Sequence, residues 1–442
     1  MMNTSTQPSF PIHDLVIGAG LAGLAYSQFT THPNIVLERC DTVGGVAKSR
    51  LTNGFTFDCT GHWLHLNDPE MASWIKGLFP EGLLEVSRKA EIHIQGVRTP
   101  YPFQANTFGL PIEIVADCLT GFFAAREAGL RGEHPDPKSF EDFIRQRMGD
   151  GIAEHFMIPY NTKMWTVPPK EMSHLWCGRF VPVPTPEEVI LGALTPAGSG
   201  RPMGYNSSFY YPHQNGMGEL STRISAPLKD NLRMESAVTR INWQEKIVHT
   251  ASGEAYEYER LISTMPLPDL VDCLEGAPEA VVEARKKLRS TTVSYWNVGV
   301  AGAGSDQAPH WIYFPDKDIP FYRVGSPSAA VSTTAPPDHR SYYVEVSHPI
   351  DSPCPASTDD VVRSLKKVGL LADNETPCLL EAHSIPGAYV IMDESYGPSR
   401  STIMDWLNQN QIWSIGRYGA WTYDSMEGAM VQGRTLAHSL NS

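Results

Sequence analysis

The chain lacks long hydrophobic runs, internal repeats, Ser/Gly linkers and an excess of positive charge. Lys and Arg number 35 against 49 Asp and Glu over 442 residues, a formal net charge of -14. That balance argues against general binding to nucleic acid or to an anionic membrane, since both need a basic face, and an anionic ligand would need arginines placed locally. The apolar stretch around Val16 is short, rich in glycine and has no basic leader, so neither a membrane span nor a signal peptide is expected. Seven cysteines (Cys40, Cys59, Cys118, Cys177, Cys273, Cys354, Cys378) are scattered and contain no C-x-x-C pair. They suggest neither a disulfide framework nor a zinc site and fit a reducing cytoplasm. His62 and His65 in "TGHWLHL" have no further ligands at metal spacing, so no metal is expected.

What is present begins with "HDLVIGAGLAGLAYSQF". Leu15, Val16 and Ile17 favour a strand, Leu24 to Tyr26 can continue a helix, and Gly18, Gly20 and Gly23 fill the G-x-G-x-x-G spacing between them. The first glycine permits a tight turn, the second lets a pyrophosphate approach the backbone, and the third lets helix and strand pack closely. Taken alone, such a turn also fits a purely structural role. "NIVLERCDTVGG" adds a second strand ending in Glu38, at the distance expected of a carboxylate gripping ribose hydroxyls, and Gly44 and Gly45 supply a second loop able to lie against phosphate.

The length suggests two or three domains, and their order looks interleaved rather than split in two. Residues 109–148 carry helical spacing, with Ile112, Val115, Leu119, Phe122 and Phe123 on one face, followed by Phe140, Phe143 and Ile144. Alternation in "LRMESAVTRINWQEKIVHT", "YWNVGVAG", "WIYFP" and "YYVEVSH" points to hairpins and a largely antiparallel sheet. The last segment reads as a strand, then Gly416-Arg417-Tyr418-Gly419, then a helix from about Ser425, which would set a second helix N-terminus against the same cofactor. The expected fold is α/β: a Rossmann-like domain (1–75, 213–268 and 405–442) interleaved with a helical subdomain (106–175) and an antiparallel sheet domain (76–105, 176–212 and 269–404).

These features resemble the two-domain flavoproteins related to amine oxidases and protoporphyrinogen oxidase. Six segments narrow the resemblance to the UDP-galactopyranose mutase family, nearest its eukaryotic type: "FDCTGHWLH", "PYPFQAN", "IPYNTKMW", "WCGRFVPVP", "WIYFPDKDIPFYR" and "GRYGAWTYD". The resemblance implies FAD, held by Gly18, Gly20, Gly23, Glu38, Arg39, Gly44, Gly45, Gly61, His62, Val238, Gly416, Arg417, Ser425 and Met426. It implies a UDP-hexose held by Tyr101 and Gln104 at the uridine, by Arg179 and Arg323 at the diphosphate, and by Asn161, Trp165, Asn206, Trp311, Tyr313, Tyr389 and Tyr423 around the sugar. It leaves room for a homo-oligomer.

The implied reaction interconverts pyranose and furanose forms, such as UDP-galactopyranose and UDP-galactofuranose, through a reduced-flavin N5–sugar adduct, with Arg179, Arg323 and His62 as the catalytic set and NADPH or NADH as reductant. Guanidinium groups suit a pyrophosphate, and since a buried one left unpaired is costly, Arg179 (after Trp176-Cys177-Gly178) and Arg323 (ending "IPFYR") are each expected to meet an anion. The aromatic residues read equally well as core on composition alone. Two departures lie beside the expected flavin: Thr60 stands where the family has glycine, and His65 where it has an aromatic residue. The alternatives are a flavin oxidase of the amine oxidase or protoporphyrinogen oxidase kind, and a catalytically silent sugar-nucleotide binder.

Overall fold

A computed structural model describes residues 11–178, 180–196, 208–305 and 308–441. Its architecture is the α/β arrangement expected from the sequence, built on two seven-stranded sheets.

The first sheet is assembled from distant pieces of chain. Strand Ile12–Ile17 pairs in parallel with Asn34–Leu37 on one side and with Ala255–Ser263 on the other. Leu232–Arg233 and Ile412–Ser414 extend the parallel part, while Val238–Asn242 and Ile247–Thr250 form an antiparallel extension. Leu15 and Val16 are fully buried, as the continuous apolar run of a parallel strand requires. Helix Leu21–Phe29 packs on the final helix, Met426–Leu440, so closely that a Cβ at Gly433 would overlap the Ala22 carbonyl oxygen. The first and last of the described helices thus pack into one unit.

The second sheet is mostly antiparallel and runs in the order 379–391, 289–301, 339–349, 323–325, 311–313, 90–94 and 97–100. Strand alternation divides its residues between two cores. Ile312, Val324, Val344 and Val346 pack with helix Thr358–Lys367 on one face, whereas Trp311, Tyr313, Tyr343 and Glu345 look to the other. A cavity of about 1390 Å³ opens by Ile312, Val324 and Tyr342 on the first of these faces, and none of the residues expected to bind cofactor or substrate lines it.

Helices Ile112–Leu130 and Phe140–Ile152 pack together as the inserted helical unit. One detail departs from expectation: Ile112 is 72% and Phe123 39% exposed. The covered stripe runs through Ile114, Val115, Cys118 and Phe122, which leaves Ile112 and Phe123 more than about 100° around the helix from its centre. No helix among the described residues is long and apolar enough to cross a membrane.

Candidate active site

The glycine turn has the geometry that a dinucleotide needs. Gly18 takes φ +99° and a Cβ there would overlap Thr264 Oγ1, while one at Gly23 would overlap the Gly18 carbonyl oxygen. Around Gly20, by contrast, nothing lies within 4 Å of a would-be Cβ, and this residue is the N-cap of helix Leu21–Phe29 with no side chain capping it. Open space at an uncapped helix N-terminus fits a phosphate. The Gly44 amide donates to the Ala19 carbonyl at 2.8 Å, bringing the Gly44–Gly45 loop against Gly20. Glu38 is buried and accepts from the Ala19 amide at 2.8 Å and the Cys40 amide at 2.9 Å, so the carboxylate is held at the lip of the turn. Its backbone oxygen accepts from the Ser236 amide at 2.7 Å, which brings the segment leading to Val238 beside it. On the far side, Gly416 packs on Ala22, and Ser425 caps helix Met426–Leu440 by accepting from the Gly428 amide at 3.0 Å. These residues fit FAD. Arg39 is exposed and shares none of these hydrogen bonds.

The loop between the two sheets hangs from a buried carboxylate. Asp58 ends strand Phe55–Asp58 and accepts from Ser49 Oγ (2.5 Å), Tyr211 Oη (2.9 Å) and the Met217 amide (3.0 Å). Burial outweighs those donors and pushes its carboxyl up to about 6, against 3.8 when exposed. A carboxyl whose folded value is raised contributes stability below its unfolded value and loses it as pH rises through the folded one. The stability difference between the native protein and Asp58→Asn should therefore shrink by roughly 2 kcal/mol between pH 4 and 6 and stay flat above about pH 7. Thermal melts of the pair across that range test it; a flat difference defeats it.

Two residues on, Thr60 sits buried at φ +62°. A β-branched side chain is strained there, and this is the position at which the resemblance implies glycine. Thr60→Gly should leave the melting temperature equal or higher, although glycine usually destabilises; a drop of several degrees would show that the strain is absent. His62 follows. Its Nδ1 is enclosed without a hydrogen-bond partner, and burial, with Arg417 and then Arg323 nearby, pushes the imidazole down to about 4. It is neutral at physiological pH and offers an unclaimed ring nitrogen.

Beside this loop stand three guanidinium groups on a wall of aromatic rings. Arg323 lies over Trp311, 4.2 Å from the ring centroid. Arg417 lies over Tyr423 (4.9 Å) and Tyr389 (5.4 Å), and Arg88 over Tyr101 (5.1 Å). Arg417 donates to the carbonyls of Asp424 (2.7 Å) and Ala388 (3.1 Å), and Arg88 to Tyr313 Oη (2.5 Å). Among the described residues neither pairs with a carboxylate, whereas Arg323 is held by the buried Glu345 at 2.6 Å. The anion expected for Arg323 is thus already supplied from within the chain. His62, Tyr101, Tyr423 and the three arginines keep partial exposure.

Other expected residues stand behind this surface. Trp165 is 1% exposed, edge-on to Tyr389 and Tyr423, and its indole nitrogen donates to Asn161 Oδ1 at 3.3 Å. Asn161 in turn donates to the Met157 carbonyl, and Gln104 to the Pro182 carbonyl at 2.7 Å. His65 points its Nδ1 at the Ser208 carbonyl, 2.9 Å away, and burial lowers its pKa. Arg179 and Asn206 lie outside the described residues. Sequence reasoning missed Arg88, Glu345 and Tyr322. For Glu345 a signal existed: a carboxylate in the middle of "YYVEVSH" breaks an otherwise apolar strand and must find a buried cation. Arg88 carries no such mark.

Comparison with known proteins follows this geometry. The model of a family described as flavin-containing amine oxidoreductases matches residues 27–336. Protoporphyrinogen oxidase 1 of the Arabidopsis thaliana chloroplast is 25% identical over 174 residues, which are 36% of this chain and 31% of that protein. The matched part thus spans about a third of the curated relative. The crystal structure of reduced UDP-galactopyranose mutase is 25% identical and superposes with a TM-score of 0.89 over 98% of this chain and 94% of the other. Cyclohexylamine oxidase from Brevibacterium oxydans shares the fold at a TM-score of 0.67 and 14% identity, covering 98% of this chain and 99% of its own.

Proposed function

We propose, from the premise that this chain belongs to the flavin-containing amine oxidoreductase family and is built like UDP-galactopyranose mutase, that it interconverts the pyranose and furanose forms of a UDP-linked hexose. The observation that carries the reading is the charge of the aromatic wall. Three guanidinium groups stand there, and among the described residues Glu345 is the one carboxylate in an ion pair with any of them. Such a surface repels the ammonium group of an amine substrate and attracts a diphosphate.

A reduced FAD at the glycine turn would supply an electron-rich ring nitrogen as nucleophile, so the chain need provide no Ser or Cys for that role. The chain's own part is to bind and orient. Arg323, steadied by Trp311 and Glu345, takes charge from the diphosphate as it leaves, and groups fixed beforehand in a partly dry site are worth several kcal/mol at that point. The stacked pair Tyr389 and Tyr423, with Tyr101 tilted against Tyr313, excludes water from one side of the sugar. Neutral His62 adds no positive charge to the loop beside the arginines.

Incubating the dithionite-reduced protein with a panel of nucleotide sugars, followed by chromatography, tests the proposal. Conversion of a UDP-hexose into an isomer of the same mass supports it. Aerobic oxidation of an amine with peroxide release, or retention of the nucleotide sugar without conversion, would replace it with the oxidase or the binding-protein reading. The physiological electron donor proposed is a nicotinamide nucleotide, to be tested by anaerobic bleaching of the flavin with NADPH and NADH.

A further inference from the structure

Glu345 lies on strand His339–Pro349, directly across from Arg323 on one neighbouring strand and from Tyr295 on the other, and is fully buried. Its two oxygens are used unequally. Oε2 accepts from Arg323 Nε at 3.0 Å and Nη2 at 2.6 Å and from the Tyr322 hydroxyl, while Oε1 is enclosed and has no partner. A buried ion pair kept for stability alone would satisfy both oxygens, because each unmet acceptor carries a desolvation cost. The arginine is used unequally too. Its Nε and Nη2 are committed to Glu345, its face to Trp311, and no described group takes Nη1. The guanidinium is therefore fixed in plane and direction with one nitrogen unclaimed. Any anion that binds there shares a cation already half neutralised.

We infer that Glu345 is a positioning residue that orients Arg323 for a diphosphate and, as a resident counter-charge, keeps the site's hold on that diphosphate weak enough for release and recapture. This rests on the function proposed above. Two opposing effects follow from one carboxylate: its geometry aids diphosphate binding, and its charge opposes it.

Two variants of the FAD-loaded protein separate those effects. Glu345→Gln keeps the length and one acceptor oxygen but removes the charge; UDP should bind about 3- to 10-fold more tightly, with kcat down at least tenfold and KM falling with it. Glu345→Asp keeps the charge but withdraws the carboxylate by one methylene from Arg323; UDP should bind at least tenfold more weakly at unchanged FAD content. Calorimetric titration with UDP, alongside steady-state kinetics, reads both. Shifts of UDP affinity in the same direction, or no shift in either variant, would overturn the inference. If the parent protein binds no UDP, the proposed function fails instead, and titration with inorganic pyrophosphate then decides the role of Glu345, the same opposition of signs being expected.

Discussion

Arg323→Ala should abolish UDP binding and also destabilise the protein by about 3–5 kcal/mol, because it strands a buried carboxylate. Glu345 is about 1% exposed at its side chain, and among the described residues Arg323 is the cation within salt-bridge reach of it. Loss of the guanidinium would leave Tyr322 as the remaining donor to Glu345 Oε2, with Oε1 still unmet. The double variant Arg323→Ala with Glu345→Gln removes the stranded charge and should recover more than half of the lost stability, while nucleotide binding stays lost. Thermal or urea unfolding of the four corners of this cycle yields the coupling energy directly. Equal stability of Arg323→Ala and the parent would mean that the pair is not formed. The distinction guards against a misreading: an Arg323 variant that loses activity only because it unfolds would otherwise pass for proof of a binding role.

Gly61→Ala is the second large effect, and it is purely steric. A Cβ at Gly61 would overlap two ring carbons of Trp311, and Gly325 on the adjacent strand also crowds the ring, since a Cβ there would overlap Cζ3 and Cε3 of the same indole. The ring cannot shift freely, because Trp63 lies 4.8 Å from it and Arg323 covers its face. Overpacking of this kind costs about 1–3 kcal/mol. The functional cost should exceed the structural one: a displaced indole carries Arg323 with it, and the affinity for UDP should fall at least tenfold. Trp311→Phe introduced into Gly61→Ala frees space and should restore the melting temperature. A Gly61→Ala protein that melts and binds like the parent would show that the slot is looser than the structure has it.

These variants also mark where the sequence is informative. The dinucleotide turn is a local device: Gly18, Gly20, Gly23 and Glu38 lie within one strand–helix–strand unit, and chain geometry alone constrains what such a spacing can build. The helix caps obey rules of equally short range, as Ser425 before Met426–Leu440 illustrates. Interleaving was legible because the C-terminal glycine turn repeats the pattern of the first. The rings were harder. Trp165 and Trp311 belong to the expected set, yet both are under 5% exposed, and composition does not distinguish a ring that walls a site from one that fills a core.

The sequence by itself determined the nucleotide-binding turn, the alternation of the second sheet and the presence of an inserted helical unit, because each follows from residues within a few positions of one another. Only the tertiary structure decided that Arg323 is clamped by Glu345, that Arg88 joins Arg417 on the aromatic wall, and that two glycines 264 positions apart frame one indole. The physical reason is range. A cross-strand salt bridge or a steric slot depends on strand order and register, which no local spacing encodes, and a lone arginine reads alike on a surface and in a site until the fold brings its neighbours to it.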